Sequence, residues 1–189
     1  MQEVDKLYRS KILISIVISS ILLMSVARIW QFLAHINLAP ILWRSGDIVL
    51  AISLASILFG LSTLLYRFWP LYHRSVDAYI EPVVANLGWW DLIWLGLLPG
   101  IAEELLFRGI MLPAFGSNLL AVFCSSLIFG ILHLRSWQYW PYFLIATLMS
   151  IVLAYTMILS KNLLVPILTH ILLNLVSCLF WKYQKTKVL

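Results

Sequence analysis

Charge is what this chain has least of. Only 11% of its 189 residues are charged, against about 25% in soluble domains, and just eight are acids. With 62% hydrophobic residues and a mean hydropathy of +0.96, the chain cannot clothe a water-soluble domain, and its length leaves no room for one beside a membrane part. There is no linker, low-complexity tract or convincing internal repeat. There is also no basic cluster of the kind nucleic acid would require, which excludes a nucleic-acid partner. The two cysteines, Cys124 and Cys178, fall inside apolar runs and read as small apolar side chains. No serine or cysteine stands beside a base at a suggestive spacing, so a covalent nucleophile is not indicated.

What is present is a series of apolar runs at 12–30, 47–66, 91–112, 118–134, 141–159 and 163–181, each close to the roughly 17–25 residues a spanning helix needs. The expected fold is all-α: a multi-pass transmembrane bundle of about six spans around an intramembrane polar cavity, with the lipid bilayer as its first partner. All nine tryptophans stand near the ends of these runs, where amphipathic rings settle at headgroups. With a cytoplasmic N-terminus, that side collects Lys6, Arg9, Lys11, Arg67, Arg74, Arg135, Lys182, Lys185 and Lys187, while the other keeps Arg28, Arg44 and Lys161. Nine against three fits both termini in the cytoplasm and a plasma (inner) membrane location. The net charge of +5 then faces anionic lipid. Lys6, Arg9 and Lys11 followed by an apolar stretch and Ser25-Val26-Ala27 imitate a signal peptide. Continuation through Ile29 and Trp30 favours a retained first helix.

The stretch 67–90 is the least hydrophobic internal segment and suits a loop with an interfacial amphipathic helix. A soft boundary there separates an N-terminal two-helix region (1–88) from a segment (89–189) that holds the polar groups of the spans. Glu103 and Glu104 lie side by side in an apolar helix, where each buried charge costs about 2.5–3.5 kcal/mol on insertion scales. Glu104 and Arg108 are four apart on one face, so they can pair. Glu103 is rotated about 100° away, with Phe107 rather than a base four residues on, and stays available for water, a proton or a metal. Pro99-Gly100 just before the acids predicts a kink or restart, and Pro166 marks a second break.

Phe129 and His133 share a face, as do His170 and Asn174. Taken singly, His133 reads as interfacial or satisfied by a carbonyl, and the His170/Asn174 pair as interhelical glue. Jointly, a carboxylate beside two imidazoles can hold and deprotonate a water, directly or through a metal, and an asparagine amide suits an oxyanion. That set is the minimum for hydrolysing an amide.

The ordered motifs Glu103-Glu104-x-x-x-Arg108, Phe129-x-x-x-His133 and His170-x-x-x-Asn174 resemble those of the CAAX-protease and bacteriocin-processing (Abi) family of intramembrane proteases, over roughly 89–181. The resemblance implies a helical cone around a catalytic cavity, in which Glu103 and His133 activate water, His170 and Asn174 form the oxyanion hole, and Glu104 and Arg108 brace the site. It implies a membrane-associated peptide substrate, prenylated or of leader type, and leaves a divalent metal such as zinc open at Glu103, His133 and His170. The function expected is thus an intramembrane endopeptidase. The rival is a non-catalytic scaffold or self-immunity protein on the same fold; a proton-coupled transporter would call for inverted repeats that are not found. One expectation conflicts with the site. In a ladder of straight helices rising about 1.5 Å per residue, His133 falls near the cytoplasmic end of its span and His170 about 10 Å from the opposite end, so they would not meet.

Overall fold

The computed structural model describes residues 2–187, with side chains from residue 7 onward. Met1, Val188 and Leu189 lie outside the described residues, as does the side chain of Lys6. Helix α1 (Gln2–Ala34) leads to α2 (Ser45–Phe68) and, after a bend at Trp69, α3 (Pro70–Val84). Helix α4 (Asp91–Glu104) passes directly into a π-helical segment (Leu105–Met111) and a closing α-turn (Leu112–Ala114). Then follow α5 (Leu119–Leu132), a 3-10 turn (Trp137–Tyr139), α6 (Trp140–Ser160) and α7 (Leu164–Lys187). Among the described residues there is no strand. The fold is a helical membrane bundle.

Four of the helical stretches are long and apolar enough to cross a bilayer: Leu7–Ala34, Ser45–Phe68, Trp137–Ser160 and Leu164–Lys187. The other two expected spans differ. The run at 118–134 is a helix of only 14 residues, about 20 Å long, and the run at 91–112 changes helix type midway. Helices α1 and α2 turn Ile14, Ile18, Leu22, Ile29, Ile57 and Leu61 outward, each more than half exposed. In water such a face would be a liability; in lipid it is the surface the chain requires.

Helix ends gather at one face of the bundle. Arg9 grips Asp91 through Nε and Nη2 at 2.6 and 2.7 Å, and Lys182 donates to the carbonyls of Val84 and Leu87. The start of α1, the start of α4 and the end of α7 therefore lie together, which puts the first and last described residues on the same side.

Three expectations need correction. Pro99 does not break its helix: α4 runs unbroken from Asp91 to Glu104, and the irregularity comes after the acids, where Leu105 begins the π segment. Pro166 sits in the first turn of α7, where a missing N–H would have had no partner anyway. Trp181 does not turn its ring outward. It is buried, and its indole N–H donates to Asp77 at 2.8 Å.

The seam that positions the site is between α4 and α7. Gly96 and Gly100, four apart, present bare backbone to α7: a Cβ on Gly96 would stand 3.0 Å from Leu175 Cβ, and one on Gly100 would stand 2.8 Å from Ile171 Cγ1 and 3.1 Å from its backbone nitrogen. Small residues at this spacing let membrane helices approach backbone to backbone. Gly130 does the same for α5 against α6, where a Cβ would overlap the Thr147 hydroxyl.

Candidate active site

Glu104 is fully buried and Arg108 is 1% exposed. Arg108 Nη1 donates to Glu104 Oε1 at 2.7 Å, and Nη2 donates to the backbone oxygen and the hydroxyl of Ser150, both at 2.9 Å. The guanidinium lies 5.1 Å from the centre of the Phe129 ring, a contact that cations over an aromatic face favour. Arginine's planar fork allows it to reach α6 and the acid together, which a lysine point charge cannot do. His170, carried on α7 beside Ile171 at the glycine seam, closes the group by bringing Nδ1 to 2.7 Å from the same Glu104 oxygen. One carboxylate thus ties α4 to α7 and, through Arg108, to α6.

Glu103 faces the other way. Its Oε2 is buried without a hydrogen-bond partner among the described residues, and it stands 3.8 Å from His133 Nε2 and 3.9 Å from His170 Nε2. The straight-ladder expectation fails here: His133 and His170 both reach Glu103. Two features defeat the ladder. Helix α5 is short and ends at Leu132, leaving His133 at its C-cap, and the glycine seam holds α7 tightly on α4.

Phe129 organises the pair. Its carbonyl, one of those left over at a helix end, accepts from His133 Nδ1 at 2.8 Å. Its ring stacks on His133 at 4.4 Å between centroids and meets His170 edge-on at 5.9 Å. With Nδ1 donating to a carbonyl, neutral His133 directs the lone pair of Nε2 at Glu103. The carbonyl partner expected of a lone histidine is present, and it leaves the opposite nitrogen free for chemistry.

These groups open on a cavity of about 930 Å³ lined by Glu103, His133, His170 and Asn174. No hydrogen bond within the described residues claims the Asn174 amide. Its walls also include Ser19 of α1, Ser62 of α2, Tyr79 of α3 and Tyr142 of α6, so the cavity is shared by segments on both sides of the boundary near residue 88. Lys11, Arg135 and Gln184 lie on its lining as well, from the helix ends that gather at one face. Glu104 and Arg108 are not on the lining; they stand behind it.

The donors stand wider apart than in a closed metal site. Three donors around a tetrahedral zinc at about 2.0–2.1 Å stand about 3.3–3.4 Å apart, whereas the separations here are 3.8 and 3.9 Å. Among the described residues no group of three His, Cys, Asp or Glu side chains is disposed to hold a metal ion. The residue types suit zinc but their placement does not fit it. Two hydrogen bonds of about 2.8 Å meeting on one water span about 4.6 Å at a tetrahedral angle and less at a narrower one, so a single water can touch Glu103 and an imidazole at these separations.

Sequence reasoning passed over three contributors: the Gly96/Gly100 seam, Ser150 and Tyr79. A Gly-x-x-x-Gly signal was present for the first. Ser150 and Tyr79 carried none, because each is defined by what it touches on another helix.

Comparison with known proteins agrees with this geometry. The family described as type II CAAX prenyl endopeptidase Rce1-like matches residues 85–176, the segment that holds both acids, both site histidines and Asn174. A relative in Bacillus subtilis (strain 168), the protein YpbD, itself described as uncharacterized, is 27% identical over 138 residues, 71% of this chain and 70% of that protein. No solved structure matches. Residues 85–176, just under half of the chain, are thus similar to the Rce1-like type II CAAX prenyl endopeptidases, a family of proteases.

Proposed function

We propose that this protein is an intramembrane endopeptidase that hydrolyses a peptide bond of a membrane-associated substrate with water activated by Glu103 and His133. The carrying observation is the partnerless Oε2 of Glu103, set 3.8 and 3.9 Å from two imidazole nitrogens on the wall of a cavity. Glu104 Oε2 is buried without a partner as well, but of the two acids Glu103 is the one on the cavity lining, where an oxygen that is costly to leave unsatisfied can meet water and substrate.

A water between these groups donates one hydrogen to Glu103 and the other to Nε2 of His133, which turns its lone pair toward the cavity. As that oxygen attacks the scissile carbonyl, Glu103 takes the proton and later returns it to the leaving amine. Asn174 and the imidazolium form of His170 donate to the oxyanion. In that form His170 and Arg108 face Glu103 and Glu104, so two cations balance two carboxylates and the cluster is neutral, the state least costly to bury. Arg108 and Glu104 touch no substrate; they hold His170. No step passes through a metal. The positive-inside bias supports cytoplasmic termini, which puts the face with Lys11 and Arg135 on the cytoplasmic side.

The test is Glu103→Gln, which keeps shape and removes the base. In micelles with a lipid-anchored, quenched-fluorescent peptide, the purified variant should lose about a hundredfold or more in kcat. Cleavage at the parent rate would exclude the role.

A further inference from the structure

His133 sits one residue past the end of α5, so the helix's own turns do not hold its ring. Phe129 holds the imidazole through the Nδ1 bond to its carbonyl and through its stacked ring, and both contacts come from α5 itself, so nothing in them ties the ring to the rest of the bundle. A second ring supplies the missing constraint. Tyr79 of α3 stacks on His133, with centroids 5.8 Å apart and planes inclined by 26°, and is backed by Tyr142 of α6 at 4.3 Å and 23°. Phe129, His133, Tyr79 and Tyr142 thus form one cluster of rings on the cavity wall, with Tyr142 also 6.3 Å from His133 but tilted by 36° to it.

Helix α3 is itself fixed at this point, residue by residue. The Asp77 carboxylate accepts from Tyr66 of α2 at 2.8 Å and from Trp181 and Lys185 of α7 at 2.8 and 2.9 Å. The next carbonyl, of Ala78, accepts from the guanidinium of Arg135, which lies two residues beyond His133. Tyr79 follows. Three consecutive residues of α3 are therefore tied to α2 and α7, to the chain just after His133, and to the His133 ring. Tyr79 lies outside the family-matched segment, which begins at residue 85.

We propose that Tyr79 is a positioning residue, supplied by the N-terminal region, whose ring holds the His133 imidazole in the orientation that turns Nε2 to Glu103. The proposal deepens the proteolytic reading and rests on it for its kinetic consequence, but not for its structural one. Aromatic stacking rather than the phenol hydroxyl does the holding, so phenylalanine substitutes for tyrosine and an aliphatic residue does not.

The decisive experiment is ¹⁵N NMR of the histidine-labelled full-length protein in micelles, with His133 assigned by His133→Gln. The parent should show the tautomer protonated at Nδ1, as the bond to Phe129 requires. Tyr79→Leu should lose that single signature and Tyr79→Phe should restore it. In the cleavage assay, Tyr79→Leu should lower kcat about tenfold with KM within about twofold, as expected when a partner that orients a working side chain is lost, and Tyr79→Phe should stay near the parent. Should Tyr79→Leu fold poorly, Arg135→Gln loosens α3 from the other side and should move the same His133 signal. An unchanged His133 signature in folded Tyr79→Leu overturns the proposal whether or not the protein cleaves anything. Equal losses in the Phe and Leu variants assign the effect to the hydroxyl and overturn it too. Retained cleavage in Glu103→Gln would instead sink the proteolytic reading, and the NMR result would still decide the role of Tyr79.

Discussion

Replacing Gly100 with alanine should disable the site without touching any group that does chemistry. The added Cβ would lie 2.8 Å from Ile171 Cγ1, 3.1 Å from its nitrogen and 3.2 Å from its Cα, where carbon contacts prefer about 3.5–4.0 Å. The side-chain atom can rotate away but the two backbone atoms cannot, so α7 must move off α4 by about half an ångström. His170 is the neighbour of Ile171, and Glu103 is one turn beyond Gly100. Their separation of 3.9 Å then changes by about as much, and His170 leaves the position from which it works beside the acid. If about 1 Å of misplacement costs about a hundredfold, half of it costs about tenfold in kcat. Overpacking should also cost about 1–3 kcal/mol of stability. The assay is cleavage of the lipid-anchored peptide by the purified variant, with its fold checked by circular dichroism. Gly60→Ala, where a Cβ meets nothing within 4 Å, is the control and should retain the parent rate. Adding Ile171→Ala removes only the Cγ1 contact and should restore the rate in part. A folded Gly100→Ala enzyme with the parent kcat would refute the claim that the glycine seam sets the site.

Three further outcomes follow. Arg108→Leu strands the buried carboxylate of Glu104 and should cost about 3–5 kcal/mol in detergent unfolding, and Arg108→Lys should recover little of it because one ammonium cannot span Glu104 and Ser150; a fully stable Leu variant would contradict this. Burial raises Asp77, but hydrogen bonds from Lys185, Trp181 and Tyr66 outweigh it and hold the carboxyl below its ordinary value. Its contribution is therefore present above about pH 4 and fades as the pH falls further, so the Tm deficit of Asp77→Asn at neutral pH should shrink between pH 4 and pH 3, and a deficit independent of pH would argue against it. Because no three donors among the described residues are disposed to hold a metal, cleavage should survive EDTA, whereas loss of activity restored by zinc would require Glu103, His133 and His170 to close around a metal.

The bundle was legible because its cause is one-dimensional. Long apolar runs with few charges have no other stable solution, and the adjacent acids, the two histidines and their i+4 companions stand out against such a background. What was not legible depends on partners. The π segment leaves no periodic signature in seven residues as apolar as Leu105–Met111 apart from Arg108. Segment 67–90 read as interfacial because it is polar, yet α3 turns Tyr72, Val76 and Tyr79 into the cavity, and only the folded packing reveals that. Trp181 looked like a headgroup anchor because composition cannot show that Asp77 waits for its N–H. The meeting of His133 and His170 was hidden by treating every helix as a full-length vertical rod. A short α5 and a tight glycine contact replace that geometry with one in which both rings reach the same carboxylate.

The most direct test of the account is an experimental density map sharp enough to show ordered solvent in the cavity. The account predicts one peak about 2.7–3.0 Å from Glu103 Oε2 and from the Nε2 atom of His133, within reach of His170. A peak at about 2.0–2.1 Å from all three would mark a metal instead. A Glu103 carboxylate satisfied by some other protein group, with both imidazoles turned away, would leave the proposed hydrolysis without its water.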